Sequence, residues 1–272
     1  MASESGARLR RVEHIMGLPI SADVRAAAPA VRDAVSRAFD WLREVDRRFS
    51  PFRAGSEVQR CGDGATPEHA SPELTEIIDL CRRYERDSGG AFRAWLPGRP
   101  FDPCGVVKGW AVQRAGELLR AAGADRFSLN AGGDVLVVGE PEPGRPWRVG
   151  IRHPDIAHQV CAVFEVRDCA VATSGNYERG AHVINGRTGR PARELVSLTV
   201  LAPDLTTADA VSTAAFAMGV DGMEWAATQP GCLVFAVDAE RRVHRSPLLD
   251  EPVVTPELLL TCGGSAAPGP QQ

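Results

Sequence analysis

Two oxygen-bearing side chains lie four residues apart in the run Thr206-Thr-Ala-Asp209-Ala-Val-Ser-Thr213. If this run is helical, the Asp209 carboxylate and the Thr213 hydroxyl project from one helix face. Both are hard oxygen ligands of the kind that Mg²⁺ accepts, together with water and phosphate oxygens. Taken alone, the pattern better fits an ordinary helix start, in which the helix dipole favours an early Asp and the Thr bonds back to a carbonyl.

A second chemical signal is Lys108, the only lysine among 31 basic residues. It lies in Phe101-Asp-Pro-Cys-Gly-Val-Val-Lys-Gly-Trp110, where we expect a strand end or loop to lead into a helix that begins near Lys108. A lysine is a compact point charge, and a helix N-terminus offers free N–H groups to phosphate. The segment therefore suggests a phosphate site, with a solvated lysine at an ordinary helix start as the alternative.

Two glycine-rich segments add candidate ligand contacts. Asn130-Ala-Gly-Gly-Asp134 follows an expected strand and permits either a close approach of a ligand to the backbone or a tight turn. Thr173-Ser-Gly-Asn-Tyr-Glu-Arg179 and His182-Val-Ile-Asn-Gly-Arg-Thr-Gly189 offer hydroxyls and an imidazole, although two hairpin turns would have the same composition. His182 is a candidate base, but a histidine between Ala181 and Val183 is more often structural.

Composition excludes several classes of function. A net charge of -4 without a basic stripe gives no support for nucleic-acid binding. The chain start has no apolar run, and no segment approaches the ~20 apolar residues of a transmembrane helix. The seven scattered cysteines contain no CxxC pair, which argues against a disulfide framework or a zinc site. We expect a cytoplasmic protein with no membrane insertion.

Hydrophobic periodicity predicts the elements that must position these residues. No regular βαβ rhythm appears, so the pattern favours a single α+β domain over residues 1–262, with a disordered tail at 263–272. The expected helices cover 26–48, the run from Ser71 to Gly89-Gly90, about Lys108–Ala121, and 207–218. The expected strands are Phe127–Ala131, Val135–Val138, Trp147–Ile151, Val160–Val166, Ala170–Thr173, Leu195–Leu201 and 231–237.

In this order, the segments resemble the ApbE family, the FAD:protein FMN transferases. The resemblance runs from Met16-Gly17 to Gly219 and is more specific than any one motif. Besides the segments above, its pieces are Phe49-Ser-Pro-Phe-Arg53 with Ser56, Gly90-Ala-Phe92, and Pro146-Trp-Arg-Val-Gly-Ile-Arg-His-Pro154.

The resemblance implies an α+β fold with mixed or antiparallel sheets, flanking helices and FAD in a central cleft. It implies a Mg²⁺-dependent reaction that transfers FMN from FAD to a Thr or Ser hydroxyl of an acceptor flavoprotein and releases AMP. The implied metal ligands are Asp209, Thr213 and the carbonyl of Gly105, and the implied catalytic residues are Asp209, Lys108 and His182. His182 or a nearby carboxylate would take the hydroxyl proton. The implied FAD-binding residues are Met16, Phe52, Ala91, Phe92, Arg93, Asp102, Lys108, Ser174, His182 and Val183.

The chain departs from the family pattern at several positions. Phe52 stands where Tyr is frequent, Arg93 where Asp is common after Ala-Phe, Gln113 where Asp is frequent, and Gly186 where Pro is usual. The stretch between Phe92 and Asp102 is also short. None of these departures removes the metal ligands or Lys108, so we expect activity with altered substrate contacts.

Two other functions use the same pocket. One is an FAD-binding carrier that modifies no partner, and the other is an FAD pyrophosphatase in which water replaces the acceptor hydroxyl. The Asp209/Thr213 pair favours a catalyst over a carrier, because simple binding needs no metal.

Overall fold

A computed structural model describes residues 8–25, 28–61, 70–156, 158–176, 180, 182–250 and 256–257. The tail expected at 263–272, the first seven residues and the Tyr177-Glu-Arg179 part of one motif lie outside the described residues. The domain boundary at 262 therefore stays a prediction. Among the described residues, no helix has the length and apolar content that a membrane crossing requires.

The described elements are five α-helices, two short 3₁₀ turns (Val58–Arg60 and Pro247–Asp250) and thirteen strands. The helices are α1 (Pro29–Phe49), α2 (Pro72–Asp87), α3 (Cys104–Ala121), α4 (Leu205–Met218) and α5 (Asp221–Thr228). The strands are β1 (Leu9–Ile15), β2 (Leu18–Val24), β3 (Phe127–Ala131), β4 (Asp134–Val138), β5 (Trp147–Arg152), β6 (Val160–Val166), β7 (Cys169–Gly175), β8 (Ile184–Asn185), β9 (Arg190–Pro191), β10 (Leu195–Ala202), β11 (Leu233–Asp238), β12 (Val243–Arg245) and β13 (Pro256–Glu257).

Eight strands form one antiparallel sheet in the order β1-β2-β3-β4-β7-β10-β11-β12. Helices α3 and α4 pack together, and α4 lies on β7 and β10. The smaller sheet β13-β6-β5 contributes to a second apolar cluster, in which Phe164 of β6 meets Phe235 of β11 edge to face at 5.7 Å. The mixture of helices with antiparallel sheets confirms the predicted α+β class.

Local signals account for α2. Its N-cap is Ser71, whose hydroxyl accepts a hydrogen bond from Leu74 N at 3.2 Å, with Pro72 at the first helical position. The buried stripe of Leu74, Ile77 and Cys81 faces the core as its spacing predicts. The helix ends at Asp87, before Gly89 and Gly90, which both have positive φ.

The expected start of α3 near Lys108 is wrong. The helix begins at Cys104, so Lys108 lies in its second turn rather than among the free N–H groups of the N-terminus. Asp102 supplies a start signal, because its Oδ1 accepts a hydrogen bond from Cys104 N at 3.0 Å. Gly105 looks like a helix breaker in the sequence but lies within the first turn.

Candidate active site

Two glycines of α3 allow it to touch α4. Gly105 and Gly109 are four residues apart and so lie on one face of the helix. A Cβ on Gly109 would overlap the carbonyl oxygen of Leu205 and lie 2.6 Å from Asp209 Cβ. A Cβ on Gly105 would lie 2.9 Å from the Thr213 methyl group. This close crossing places Lys108 beside Asp209.

Lys108 is held between two buried carboxylates. Its Nζ lies 2.5 Å from Asp134 Oδ2 and 3.3 Å from Asp209 Oδ1. The other oxygens of these carboxylates accept backbone hydrogen bonds, Asp209 Oδ2 from Gly109 N at 2.7 Å and Asp134 Oδ1 from Thr173 N at 3.0 Å. Two carboxylates thus face one ammonium, which leaves an excess of one negative charge.

The electrostatics of this cluster follow from burial and charge. Burial alone would lower the pKa of Lys108, but Asp134 and Asp209 outweigh it and raise that pKa, so the ammonium stays charged at neutral pH. Burial raises the pKa of Asp209, and Asp134 adds to this rise while Lys108 opposes it. A further cation beside Asp209 would stabilise its charged form.

The predicted metal ligands lie at the same helix crossing. Asp209 and Thr213 share a face of α4, and Gly105 of α3 packs against Thr213. In an α-helix the N–H of Gly109 bonds to the carbonyl of Gly105, and here that N–H also donates to Asp209. A carbonyl has two lone pairs, so the Gly105 oxygen retains accepting capacity.

This donor set fits a hard divalent cation. A carboxylate, a hydroxyl and a carbonyl are all oxygen ligands, and the excess carboxylate charge favours a cation. The described residues contain no cluster of three or more His, Cys, Asp or Glu side chains that could form a metal cage. The set therefore fits an open site with positions left for water better than a closed structural metal site.

A cavity of about 780 Å³ opens onto this cluster, a volume within the usual range of ligand pockets. Twelve of the thirteen predicted site residues line it, as does Arg99. They are Met16, Phe52, Phe92, Arg93, Asp102, Gly105, Lys108, Ser174, His182, Val183, Asp209 and Thr213. The exception is Ala91, which is fully buried and whose carbonyl accepts a hydrogen bond from Gly186 N at 2.8 Å.

Part of the cavity wall is a hairpin that the sequence pattern did not predict. Met16 and Gly17 form the two-residue turn between β1 and β2, both with positive φ (55° and 74°), as this type of hairpin requires. Gly132, in the turn between β3 and β4, donates to Pro19 O at 3.0 Å and fixes the two turns side by side. Phe52, after α1, is 83% exposed at the cavity edge.

Ser174 and His182 lie at the cavity without the partners of a base-activated nucleophile. Ser174 Oγ bonds to the hydroxyls of Ser212 at 3.0 Å and Thr213 at 3.3 Å. His182 is exposed, and its Nδ1 lies 2.9 Å from Gly180 O. No hydrogen bond between His182 and a carboxylate is present among the described residues, so its role as a base stays a prediction.

Two of the departures, Gln113 and the short stretch before Asp102, have local structural counterparts. Gln113 Oε1 accepts a hydrogen bond from Leu205 N at 3.0 Å, at the start of α4 and away from the cavity. The short stretch before Asp102 closes on itself, because Asp102 N donates to Ala94 O at 2.9 Å and Trp95 stacks on Phe101 at 4.3 Å. These contacts give the shortened loop a defined shape.

The departures at Arg93 and Gly186 depend on each other. Arg93 pairs with Glu85 at 3.1 Å, and its aliphatic stem runs across Gly186. A Cβ at Gly186 would lie 2.7 Å from Arg93 Cγ and 2.5 Å from Gly90 O. The missing side chain at Gly186 leaves the space that Arg93 occupies.

Asp134 belongs to the Asn130–Asp134 motif, but the sequence alone does not assign it to the site. The signal available was its position directly after two glycines at the start of a strand. Its ion pair with Lys108 joins residues that are far apart in the chain, which no local pattern predicts.

Curated relatives were found for part of the chain. An FAD:protein FMN transferase of Rhodobacter capsulatus is 38% identical over 199 residues, which cover 70% of this chain and 35% of that protein. The FAD:protein FMN transferase of Vibrio cholerae is 33% identical over 134 residues, covering 46% of this chain and 40% of that protein. The matched part of the chain thus spans 35–40% of the length of these relatives.

Solved structures share the fold. An ApbE protein of Thermotoga maritima superposes with a TM-score of 0.77 at 22% identity, covering 90% of this chain and 98% of that one. The flavin transferase ApbE from Vibrio cholerae superposes with a TM-score of 0.76 at 22% identity, with the same coverage of 90% and 98%. The ApbE family model matches residues 16–96 and 95–235. Because these ranges cover most of the chain and confirm the resemblance seen in its motifs, the chain belongs to the ApbE family.

Proposed function

We propose that this protein is a Mg²⁺-dependent FAD:protein FMN transferase, which moves FMN from FAD to a Thr or Ser hydroxyl of an acceptor flavoprotein and releases AMP. The observation that carries the proposal is the cluster of Lys108, Asp209 and Thr213 in the wall of a cavity of about 780 Å³. Relatives named for this activity support it.

Mg²⁺ would be held by Asp209, Thr213 and the Gly105 carbonyl. When bound, it would neutralise charge on the pyrophosphate oxygens as a Lewis acid. Lys108 supplies a fixed positive charge whose position is set by two carboxylates rather than by solvent. Preorganised charge of this kind stabilises a phosphoryl-transfer transition state without rearrangement during the reaction.

The rest of the cavity would orient FAD. The apolar surfaces of Met16 and Phe52 are suited to the flavin, and the Phe92-Arg93 end to the adenosine half. Asp102 lies between Phe92 and the start of α3 along the cavity wall. Binding both ends of the dinucleotide fixes the pyrophosphate beside Asp209, so that positioning contributes much of the rate.

We infer a one-step displacement. The acceptor hydroxyl oxygen attacks the phosphorus of the FMN half, the bond from that phosphorus to the AMP oxygen breaks, and AMP leaves with that oxygen. The hydroxyl proton passes to His182, to a nearby carboxylate or to water. A covalent enzyme intermediate is less favoured, because Ser174 is bonded to two hydroxyls rather than to a base.

The proposal is tested by incubating the protein with FAD, Mg²⁺ and candidate acceptor flavoproteins. Transfer makes the acceptor fluoresce on a denaturing gel and releases AMP in equal amount. AMP and free FMN without a labelled protein would indicate a pyrophosphatase, and unchanged FAD would indicate a carrier.

The one-step route is tested by mass spectrometry of the enzyme after incubation with FAD alone. An FMN or AMP adduct on the enzyme that can pass to the acceptor would show a two-step route instead. We propose a cytoplasmic acceptor, because scattered cysteines without a CxxC pair suit reduced thiols in a cytoplasm.

A further inference from the structure

Asp134 contacts the site but has no place in the mechanism described above. It is the first residue of β4 and is 2% exposed. Its Oδ1 is fixed by Thr173 N in the neighbouring strand β7, at 3.0 Å. Its Oδ2 is therefore presented to Lys108 from a rigid position in the sheet, at 2.5 Å.

Lys108 and a divalent cation both require Asp209. Oδ2 of Asp209 already accepts the Gly109 N–H, and Oδ1 faces the ammonium at 3.3 Å. The ion pairs of Lys108 among the described residues are those with Asp134 and Asp209, and the distance to Asp134 is the shorter. Without the Asp134 charge, the ammonium would pair with Asp209 alone and compete with the cation for that carboxylate.

The charge of the cluster leads to the same conclusion. Asp134, Asp209 and Lys108 carry a formal charge of -1 together, which becomes +1 with a divalent cation. Neutralising Asp134 changes these values to 0 and +2. In a buried site, where water screens charge weakly, the second arrangement disfavours the cation.

We propose that Asp134 is a positioning residue, which anchors the Lys108 ammonium so that Asp209 remains available to a divalent cation. This inference rests on the proposed function for the identity of the metal ligands. It predicts opposite effects on two ligands. Loss of the Asp134 charge should weaken metal binding, and should leave unchanged or strengthen the binding of anionic FAD in the absence of metal.

The test is Asp134→Asn, which keeps the size of the side chain and an oxygen for Thr173 N. Mn²⁺ affinity is measured from the spectrum of free Mn²⁺ by electron paramagnetic resonance, and FAD affinity in EDTA by fluorescence. We expect the Mn²⁺ affinity to fall at least about tenfold, the usual effect of removing a partner that orients a ligand. FAD affinity in EDTA should stay equal or rise.

A matched control is Asp238→Asn, in the same sheet but away from the cavity. Asp238 is 1% exposed and accepts hydrogen bonds from Arg242 and His244, so this variant also neutralises a buried, bonded carboxylate. It should lower thermal stability and leave Mn²⁺ affinity unchanged. If Asp134→Asn weakens Mn²⁺ and FAD binding together, its role is only structural and the inference is overturned.

The double variant Asp134→Asn with Lys108→Gln tests competition directly. It removes the Asp134 carboxylate and the Lys108 ammonium together, so no buried ammonium remains without its partner or competes for Asp209. We expect Mn²⁺ affinity within about threefold of wild type, well under 1.4 kcal/mol. A tenfold loss would overturn the inference, and this variant carries the test if Asp134→Asn does not fold.

The outcomes separate the two proposals. A wild-type protein that binds no Mn²⁺ overturns both the metal dependence and the role of Asp134. A wild-type protein that binds Mn²⁺ and FAD but labels no acceptor overturns the transferase proposal, while the affinities of the variants still decide the role of Asp134. Equal Mn²⁺ affinity in wild type and Asp134→Asn overturns the positioning role alone.

Discussion

Replacing Gly109 with alanine should impair catalysis far more than it impairs folding. The added Cβ would overlap the carbonyl oxygen of Leu205 and lie 2.6 Å from Asp209 Cβ. Neither neighbour can rotate away, because one is backbone and the other is attached directly to it. Helices α3 and α4 must therefore separate by about 1 Å to reach ordinary contact distance.

The two effects differ in size. Overpacking a core contact costs about 1–3 kcal/mol, and alanine returns about 1 kcal/mol of helix propensity. We expect a net loss of about 0–2 kcal/mol, and so a fall in Tm of at most about 4–8 °C. A displacement of about 1 Å at the reacting groups can cost about a hundredfold in rate. Here that displacement would stretch the pairing of Lys108 with Asp209, now at 3.3 Å.

Gly116→Ala provides the matched control in the same helix. Its Cβ would lie 2.5 Å from Cδ2 of Leu136, the end of a flexible side chain, and away from the cavity. It should lower Tm and retain the transfer rate per folded molecule. Thermal melts and initial rates of acceptor labelling are measured for both variants. A labelling rate of Gly109→Ala within about threefold of the wild-type rate, a difference under roughly 0.7 kcal/mol, would contradict this reasoning. In that case the close contact of α3 with α4 at Gly109 does not position the site.

The remaining predictions concern the metal, the lysine and the departures from the family pattern. AMP release should fall by about a hundredfold or more in EDTA and in Asp209→Ala, measured by chromatography, and persistent release in either would refute the metal assignment. Lys108→Arg should lower FAD affinity or the transfer rate at least about tenfold, because a planar guanidinium cannot replace a point charge between two carboxylates, and changes within threefold would contradict this. Gly186→Ala should destabilise the protein by about 1–3 kcal/mol in denaturant unfolding. This cost should shrink when Arg93→Ala is added, and strict additivity of the two costs would show that the positions are independent.

Local sequence signals were sufficient to predict a helix or strand that carries its own cap residues and its own regular spacing of apolar residues. Helix α2 was predictable because Ser71 caps it, Pro72 follows and the apolar residues recur at helical spacing. The longer strands from Phe127 onward (β3–β7, β10 and β11) were predictable for a related reason, since β-branched runs alternate with glycine and proline. These elements do not depend on distant residues for their recognition. The strands of two or three residues (β8, β9, β12 and β13) were not predicted.

The hairpin β1–β2 was missed because much of its stability is not local. Strand β1 contains three charged residues and exposes Val12 to 67%, so its composition resembles a surface segment. Its partner β2 is secured by pairing with β3, more than a hundred residues later in the chain. The Met16-Gly17 turn was the local signal, and only the long-range pairing gives it significance.

The site shows the same division between local and distant information. The motifs around Asp209, Thr213 and Lys108 were each ambiguous alone, and their order along the chain identified the family. Their mutual geometry was not recognisable, because it depends on Gly109 meeting a helix one hundred residues away. The sequence placed Gly105 before the expected helix, and packing against α4 explains why glycine is needed inside α3 at both Gly105 and Gly109.

The structure explains why position 108 holds a lysine rather than an arginine, and this explanation differs from the one that the sequence suggests. The sequence favours a compact cation for a phosphate at a helix N-terminus, but Lys108 lies in the second turn and is held by Asp134 and Asp209. An ammonium can donate to two carboxylates from separate directions, whereas a planar guanidinium favours one carboxylate in parallel pairs. An arginine would also need space at a crossing that has no room for a Cβ on Gly109. The lysine is thus required by the protein's own carboxylates, which fix the position of its charge in the cavity wall.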